Sequence, residues 1–437
     1  MKFYDRYREI AELKRLNDLA EKSSQLTVLV GRRRIGKTTL LLRAYEGERD
    51  VVYFFVGKKS EKLLAEELQA AMKEKLGMDI RGKVGTIAEL VEMAMQESQS
   101  RRVTLIIDEF QRLSETGEEI ITEIQRVWDT NHATSHFHLI ACGSIYSMMQ
   151  HIFEDRKEPL FGRKTARINL RPFGTGVLKE ILRDHNPGYT TDDLLMFYAI
   201  TGGVAKYASQ LMDNGSTTES KMIEAVCNGS SPFLQEGTEL MVGEFGKKYQ
   251  IYYSIMELIA KGMTTQAEID GVIGKNTGRY LDTLESEYSL ITRNRPMWSK
   301  PGCQGVRYEI DDNFLLFWFR YIESNRFLVE QEKYELLKEE IERGYPEWSG
   351  HILERYFRQK YGEKDRVTEV SHWWDSKGEN EIDMIAIEKL DRRATIAEVK
   401  RNKKKYSETT LRAKVEKIEK NLRGYEVTLC GLSMEDM

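Results

Sequence analysis

Residues 1–150 alternate between short apolar runs and longer segments whose apolar residues recur at helical spacing. The apolar runs are rich in β-branched and aromatic residues, as buried parallel strands are. An amphipathic helix over Phe3–Leu19 precedes the first run, and helical patterns lie between Leu63 and Met95. This alternation predicts an α/β domain with a parallel sheet covered by helices on both faces. The predicted strands are Thr27–Val30, Val51–Val56, Val103–Phe110 and Phe137–Ser144.

A phosphate-binding loop is predicted where the first strand ends, in the stretch VGRRRIGKTT. Gly31 and Gly36, followed by Lys37 and Thr38, have the spacing of a P-loop. Glycine lets the backbone approach a phosphate, and N–H groups at a helix N-terminus point at the anion along a favourable dipole. We expect Lys37 to reach the β- and γ-phosphates and Thr38 to offer its hydroxyl to Mg²⁺. The predicted nucleotide-binding residues are Gly31, Arg32, Arg33, Arg34, Ile35, Gly36, Lys37, Thr38 and Thr39.

An acidic pair, Asp108 and Glu109, ends the third predicted strand. Parallel strands place their carboxyl ends at one edge of the sheet, so a carboxylate there lies beside the P-loop, where nucleotide-bound Mg²⁺ needs one. We assign Asp108 to the metal, directly or through water, and Glu109 to orienting or activating the attacking water. The alternative is that the pair begins a solvated loop.

Two further polar residues are candidates for contact with the phosphates. Ser144 follows the fourth strand and would sense the γ-phosphate, unless it only forms a turn. Arg163 follows a glycine in a predicted loop and would reach a phosphate in trans or in cis. The alternative for Arg163 is an ordinary surface arginine.

Two helical regions follow the predicted sheet. The first, residues 176–242, is a predicted lid. The second, between Tyr249 and Ile310, has three short helices and a basic two-stranded wing, which predicts a winged helix-turn-helix. Such modules bind duplex DNA in many proteins and serve only as protein-contact domains in others. The residues expected to contact DNA are Lys275, Arg279, Arg293, Arg295 and Lys300.

The last region contains two segments with alternating apolar and polar residues, as strands with one buried face have. They place Asp383 on one strand, and Glu398 and Lys400 on the same face of the next. A metal-dependent nuclease needs two carboxylates that hold Mg²⁺ and a lysine that stabilises charge or positions water. Glu354 on the preceding helix would complete this site. The alternative is that the Glu-x-Lys pattern occurs by chance and that these residues form only an ordinary cross-strand ion pair.

Composition narrows the class of protein. The net charge of −4 gives no global attraction to nucleic acid, so such contacts must be local. The charged N-terminus and the lack of any run of about 18 apolar residues predict a cytoplasmic protein without membrane contact. The cysteines lack the spacing of metal ligands or of a disulfide framework, so we expect reduced thiols. They are Cys142, Cys227, Cys303 and Cys430.

With these motifs, the chain resembles the archaeal-type P-loop ATPases of the AAA+/STAND group, specifically those ending in a domain similar to the PD-(D/E)xK nucleases. The resemblance implies ATP and Mg²⁺ as ligands, a sensor role for Ser144 and a finger or sensor role for Arg163. It also implies that an N-terminal box containing Arg6 borders the adenine. One departure is Val204–Ala205, where the family usually shows Ile-Pro or Val-Pro. The resemblance depends on Phe3, Asp5, Arg6, Glu9, GRRRIGKTT, LIIDEFQ, Gly143–Ser144, Phe161–Arg163, Thr201–Gly203, FLLFWFRY, Trp373, Trp374, Glu381–Asp383 and Glu398–Lys400.

These predictions combine into an ATP-binding, Mg²⁺-dependent ATPase that acts as a nucleotide switch on a DNA-binding and nuclease-like module. One alternative is a nucleotide-gated regulatory or DNA-binding protein with little turnover and an inactive nuclease-like domain. Another is a structure-specific DNA nuclease powered or licensed by ATP, and a homo-oligomer is left open. The predicted domains are the P-loop ATPase domain 1–175, the lid 176–242, the winged helix-turn-helix 243–325, a helical connector 326–345 and an α/β restriction-endonuclease-like domain 346–437.

Overall fold

The computed structural model describes residues 1–246, 249–300, 302 and 305–437. It divides into two compact units, one of Asp5–Arg171 and one of Met1–Tyr4 with Pro172–Met437. Three of the predicted thiols, Cys142, Cys227 and Cys430, are free cysteines. The fourth, Cys303, lies outside the described residues.

The unit Asp5–Arg171 is built on a five-stranded sheet in the order β2-β3-β4-β1-β5, in which every neighbouring pair is parallel. Every residue of β1, β3 and β4 is buried, which explains why these strands are almost continuously apolar. The predicted parallel α/β fold is thus confirmed. The strands are β1 Gln25–Val30, β2 Val51–Phe55, β3 Val103–Asp108, β4 Phe137–Gly143 and β5 Ala166–Asn169.

Seven helices connect and cover these strands in the described part of this unit. Local sequence signals fix some of their ends: the Thr86 side chain accepts a hydrogen bond from the Glu89 N–H and so caps α4. The helices are α1 Tyr7–Leu19, α2 Lys37–Ala44, α3 Glu61–Leu76, α4 Ile87–Glu97, α5 Arg112–Thr116, α6 Glu118–Asn131 and α7 Tyr146–Glu154.

The second unit begins with five helices that bury their apolar residues against one another. A capping box at Thr190 and Asp193 starts the second of them. Gly203 makes a close approach there, because a Cβ on it would lie 2.3 Å from the Phe173 carbonyl oxygen and its φ is +78°. The close approach and the left-handed backbone therefore both require glycine at this position. These helices are α8 Thr175–His185, α9 Thr191–Thr201, α10 Ala205–Asp213, α11 Glu219–Val226 and α12 Phe233–Phe245.

Three short helices and an antiparallel two-stranded sheet follow, in the order that the sequence predicted. Two further helices then connect this region to the remainder of the unit, and the segment between them includes one turn of π-helix at Trp318–Ile322. Phe317 at the end of α16, and Trp318 and Phe319 in the π-helical turn, are fully buried. The elements are α13 Tyr249–Ala260, α14 Gln266–Ile273, α15 Gly278–Ser286, β6 Ile291–Asn294, β7 Arg307–Ile310, α16 Asn313–Phe317 and α17 Arg326–Glu330.

The C-terminal region begins with one long helix, α18 Tyr334–Gly362, which contains Pro346 in its interior. The sequence pattern placed a domain boundary at Pro346, whereas the structure continues the same helix through it. The four-stranded sheet that follows has the order β11-β10-β9-β8, and β10 is antiparallel to β9 and parallel to β11. These elements are β8 Glu369–Trp374, β9 Glu381–Glu388, β10 Arg393–Val399, α19 Glu408–Glu416 and β11 Glu426–Leu432.

The strands β9 and β10 are covered more fully than the alternating pattern suggested. All six inner residues of β9 and the last four of β10 are buried, so both faces of the sheet are packed. The polar residues of these strands therefore sit in partly enclosed surroundings. Among the described helices, none is long and apolar enough to cross a membrane.

Candidate functional site

The P-loop connects β1 to α2 by a tight turn that two left-handed residues make possible. Gly36 has φ +97° and Arg34 has φ +69°. A Cβ on Gly31 would lie 2.8 Å from the Leu170 carbonyl oxygen, so only glycine fits where the loop starts. Gly36, the residue before α2, has no side chain that could cap this helix, and the N–H groups of a helix N-terminus favour an anion.

Lys37 is the first residue of α2, and its side chain is folded across the loop. The Nζ atom donates hydrogen bonds to the carbonyl oxygens of Gly31, at 2.7 Å, and Arg32, at 2.9 Å. The residue is only 6% exposed. Its ammonium group is thus held inside the loop that is predicted to receive phosphates.

Asp108 lies at the end of β3 and joins three elements of the sheet edge. Its Oδ2 accepts a hydrogen bond from Thr38 Oγ1 at 2.8 Å and another from the Tyr53 hydroxyl at 2.6 Å. Its Oδ1 accepts from the backbone N–H of Glu109 at 3.0 Å. The two residues predicted to hold Mg²⁺, Thr38 and Asp108, are therefore in direct contact.

Glu109 follows in a left-handed conformation with φ +59°, which turns the chain away from the strand. Its Oε2 accepts hydrogen bonds from Gln111 Nε2 at 2.6 Å and from Ser144 Oγ at 3.0 Å, and Arg112 Nε lies 3.8 Å away. Ser144, predicted as a phosphate sensor, thus contacts the residue predicted to activate water. Two hydrogen-bond donors, Gln111 and Ser144, and the ion-pair partner Arg112 fix the position of this carboxylate.

Three residues of this site were missing from the prediction: Tyr53, Gln111 and Arg112. Tyr53 is the polar-tipped residue of an otherwise apolar strand, and burial together with the Asp108 carboxylate raises its pKa, so it remains a donor. Arg112 Nη1 also donates to the Val56 carbonyl oxygen at 2.9 Å. Two features of the sequence could have identified them. One is the hydroxyl-bearing residue within the apolar strand β2, and the other is the pair of polar residues that follows shortly after the acidic pair Asp108–Glu109.

Arg163 and Arg6 make contacts of their own within the same unit. Arg163 forms a bidentate ion pair with Asp129, in which Nε and Nη2 each lie 2.7 Å from a carboxylate oxygen. Its Nη1 donates to the carbonyl oxygens of Pro159 and Phe161. Arg6 is 4% exposed, lies 3.6 Å from Glu9 and donates to the Arg171 carbonyl oxygen at 2.8 Å. Their predicted contacts with the nucleotide stay predictions.

The residues at this edge suit a nucleotide and a divalent cation. The uncapped start of α2 offers N–H donors to an anion, and Lys37 supplies a positive charge at the same place. Thr38 and Asp108 provide a hydroxyl and a carboxylate oxygen, the hard oxygen ligands that Mg²⁺ prefers. The donor set therefore fits the phosphates and Mg²⁺ that the motif predicted.

The C-terminal carboxylates are close to two lysines. Lys400 Nζ lies 3.4 Å from both Asp383 Oδ2 and Glu398 Oε1, and Lys414 Nζ donates to Glu398 Oε1 at 3.1 Å. Asp383 Oδ2 also accepts from the Val399 N–H at 2.7 Å. Burial by itself lowers the pKa of Lys400, but the carboxylates of Asp383 and Glu398 outweigh this effect and raise the pKa. The structure thus places both Asp383 and Glu398 within ion-pair distance of Lys400.

Glu354 on α18 faces the same region in a more enclosed setting. Burial and the nearby Asp383 charge raise the pKa of Glu354 to about 8. Within the described residues, no group of three or more His, Cys, Asp or Glu side chains is arranged to hold a metal ion. The metal role predicted for Glu354, Asp383 and Glu398 therefore stays a prediction.

Comparisons with known families agree with the P-loop site. The model of a family described as "ATPase domain predominantly from Archaea" matches residues 3–211. A second model, described as "Archaea bacterial proteins of unknown function", matches residues 318–417. Residues 3–211 are therefore similar to this family, which supports an ATP-binding ATPase domain in this part of the chain.

One relative in sequence and two solved structures match most of the chain. The uncharacterized protein MJECL04 of Methanocaldococcus jannaschii is 27% identical over 405 residues, which cover 89% of this chain and 86% of the relative. The Walker-type ATPase PABY2304 of Pyrococcus abyssi has a similar fold, with a TM-score of 0.54 and 19% identity over 73% of this chain and 96% of the other. The Aeropyrum pernix ORC1 protein, solved in complex with DNA, reaches a TM-score of only 0.37 at 16% identity, over 76% of this chain and 95% of the other.

Proposed function

We propose that this protein is an Mg²⁺-dependent ATPase that acts as a nucleotide switch on a DNA-binding and nuclease-like module. The observation that carries the first part is the 2.8 Å hydrogen bond between Thr38 and Asp108. It joins the P-loop helix to the acidic end of β3, and these are the two elements that must meet to hold a nucleotide-bound cation.

The chain's own residues would divide the chemistry of hydrolysis among them. Lys37 leaves the loop carbonyls to neutralise charge on the β- and γ-phosphates, while Thr38 and Asp108 hold Mg²⁺. When bound, Mg²⁺ neutralises charge on the phosphate oxygens and so favours departure of the γ-phosphoryl group. Glu109 orients the attacking water and accepts its proton. Gln111 and Ser144 keep the Glu109 carboxylate in place.

Two arginines have more distant roles in this proposal. Arg6 would border the adenine as part of the N-terminal box. Arg163 would leave its ion pair with Asp129 to contact a phosphate, in cis or from another copy in a homo-oligomer. Loss of this ion pair gives the switch a defined local change that nucleotide binding can drive.

The output module would comprise the predicted winged helix-turn-helix, residues 243–325, and the nuclease-like domain, residues 346–437. The three helices α13, α14 and α15 and the β6–β7 hairpin support the first assignment. Lys275 lies over the Tyr280 ring at 5.0 Å, while Arg293 is paired with Asp282 and Glu285. We therefore expect Lys275 and Arg279 to contribute more than Arg293 to contact with DNA phosphates.

The proposed coupling is tested by measuring ATP hydrolysis with and without nucleic acid. We expect Mg²⁺-dependent hydrolysis by the full chain that rises by roughly tenfold with saturating duplex or single-stranded DNA, because the output module then favours the ATP-competent state. A phosphate-release assay at low salt provides the measurement. Hydrolysis that DNA leaves unchanged would contradict the coupling, and absence of hydrolysis would contradict the ATPase itself.

A second candidate function is a nucleotide-gated protein whose C-terminal domain binds nucleic acid without cutting it. The observation that favours it is the position of the two lysines, since Lys400 and Lys414 both lie within ion-pair distance of Glu398. Two ammonium groups already compensate the charge that a cation would neutralise.

The two candidates differ in the cutting of DNA. If the domain is a nuclease, Mg²⁺- or Mn²⁺-dependent cutting should fall by about 10²-fold or more in both Asp383→Ala and Lys400→Ala, because each removes a group from the reacting site. Gel electrophoresis of labelled DNA measures it. Glu435→Ala, on an exposed acidic residue of the same domain, is the control. Absence of cutting by the wild-type chain would favour the non-cutting alternative.

A further inference from the structure

A cavity of about 290 Å³ lies within the unit Pro172–Met437, where the β6–β7 hairpin faces α18 and the C-terminal sheet. One part of its wall is apolar and includes Ile259, Ile310 and Trp348. The other part is rich in guanidinium groups. The four arginines that line this arginine-lined cavity are Arg307, Arg320, Arg355 and Arg358.

The wall has more cations than anions. Against the four arginines stand three carboxylates, from Glu309, Glu354 and Glu381, and the count stays positive with both lining histidines neutral. Glu309 compensates two of the arginines, since its Oε2 lies 3.6 Å from Arg355 Nη1 and 3.8 Å from Arg358 Nη2. An excess positive charge in an enclosed site attracts an anion more strongly than the same charge in water.

Arg320 is the source of this excess. No described carboxylate lies within ion-pair distance of its guanidinium group, whereas Arg307, Arg355 and Arg358 each have one. Its Nε is buried and has no hydrogen-bond partner among the described residues. A buried charged donor without an acceptor is costly, so a ligand oxygen at this position is favoured.

The cavity reaches the predicted nuclease-like site. Glu354 lines it, and Arg358 Nη1 lies 3.8 Å from the Glu354 carboxylate while donating to the Asp383 carbonyl oxygen at 3.3 Å. A ligand held by the arginines would therefore sit beside the carboxylates that were predicted to bind a metal.

We propose that the arginine-lined cavity binds the phosphate monoester of a nucleotide, either free or at the end of a DNA strand, with Arg320 and Arg307 as its principal contacts. The planar guanidinium groups match phosphate oxygens, and Trp348 offers an apolar surface to a base or sugar. The volume is at the lower end of the range for ligand pockets, about 300–1,000 Å³, which suits one nucleotide. A terminal monoester also carries more charge than a phosphodiester within a strand.

This inference rests on the proposed function only in placing nucleic acid at this module. Fluorescence anisotropy with the full chain and internally labelled single-stranded DNA tests it. The strands carry a 5′-phosphate, a 3′-phosphate or hydroxyls at both ends. Competition with dCMP, deoxycytidine and inorganic phosphate tests whether the cavity binds a free nucleotide, whereas the three strands test a strand end. Deoxycytidine differs from dCMP only in lacking the phosphate, so a difference between the two reports the contribution of that phosphate.

The expected result is that a terminal phosphate on the strand, or the phosphate of dCMP relative to deoxycytidine, strengthens binding by about tenfold or more, since it adds charge-assisted hydrogen bonds. Arg320→Gln and Arg307→Gln should each remove most of this gain, and Arg320→Lys should keep part of it. Arg343→Gln, which removes an exposed arginine of α18 paired with Glu340, should keep all of it.

Equal binding of phosphorylated and unphosphorylated ligands would overturn the inference, as would a gain retained in both glutamine variants. Thermal melting checks their folding, and Arg307→Gln, from a different element, decides the matter if Arg320→Gln does not fold. Strands that bind equally whatever their ends, together with equal competition by dCMP and deoxycytidine, would refute this cavity while leaving the proposed DNA coupling intact. Arginine-dependent binding of dCMP without any strand binding would support the cavity and refute the coupling.

Discussion

ATP hydrolysis by a Glu109→Gln variant should be slower than that of the wild-type chain by about 10²- to 10³-fold, with ATP binding nearly unchanged. Glutamine keeps the size of the side chain and can still accept a hydrogen bond from Ser144 Oγ, which lies 3.0 Å from the carboxylate. It loses the basicity needed to accept a proton from water. Phosphate release at saturating ATP gives the rate, and equilibrium binding of a fluorescent ATP analogue gives the affinity.

Two further variants make this result specific to the base. Glu115→Gln removes an exposed carboxylate from the next helix and should hydrolyse ATP at the wild-type rate. Ser144→Ala removes one donor from Glu109 but leaves its charge, so we expect a smaller loss, of about tenfold. Equal hydrolysis by the wild type and Glu109→Gln would exclude Glu109 as the base and favour a switch with little turnover.

The sequence predicted the sheet domain well because its signals are local. Fully buried parallel strands must be continuously apolar, and the runs at β1, β3 and β4 stand out against charged helices. Strand β5 was missed, since it has only four residues, includes Arg167 and lies at the edge of the sheet. Strand β11 was missed for a related reason, because several of its residues are exposed.

The helix through Pro346 shows where a local rule fails. Proline removes one backbone N–H donor and usually ends a helix. Here Tyr345, Trp348 and Ser349 on either side of it are buried, and the Pro346 carbonyl oxygen accepts a hydrogen bond from Ser349 Oγ at 3.0 Å. Tertiary packing of this segment thus outweighs the cost, and that packing is not visible in the sequence.

The residues of the candidate site likewise divide into those that the sequence predicted and those that it did not. Gly36, Lys37, Thr38 and Asp108 were predictable because their spacing along the chain is fixed by the strand–loop–helix unit. The contact of Tyr53 with Asp108 depends on the register between β2 and β3, in which Phe55 pairs with Asp108. Register and side-chain direction come from the assembled sheet, so the sequence indicated neither this tyrosine nor the partner of Arg163.

Replacing Lys37 with alanine should weaken ATP binding by about 10²-fold, because a buried ammonium group that forms charge-assisted hydrogen bonds to phosphate is lost. Hydrolysis should fall with it at subsaturating ATP. Equilibrium binding of a fluorescent ATP analogue with Mg²⁺ gives the dissociation constant. Lys62→Ala, on the exposed face of α3, is the matched control and should bind like the wild type.

The contacts of Lys37 make a second measurement necessary. Its Nζ holds the Gly31 and Arg32 carbonyl oxygens, so alanine also removes two hydrogen bonds from the loop itself. We expect the thermal midpoint of Lys37→Ala to fall modestly without ATP, and the stabilisation that saturating ATP gives the wild type to be lost, because that gain follows from binding alone. If the variant binds ATP and is stabilised by it to the same extent as the wild type, the proposed role of Lys37 is refuted. If a folded variant no longer binds ATP, the phosphate contact is assigned to this lysine.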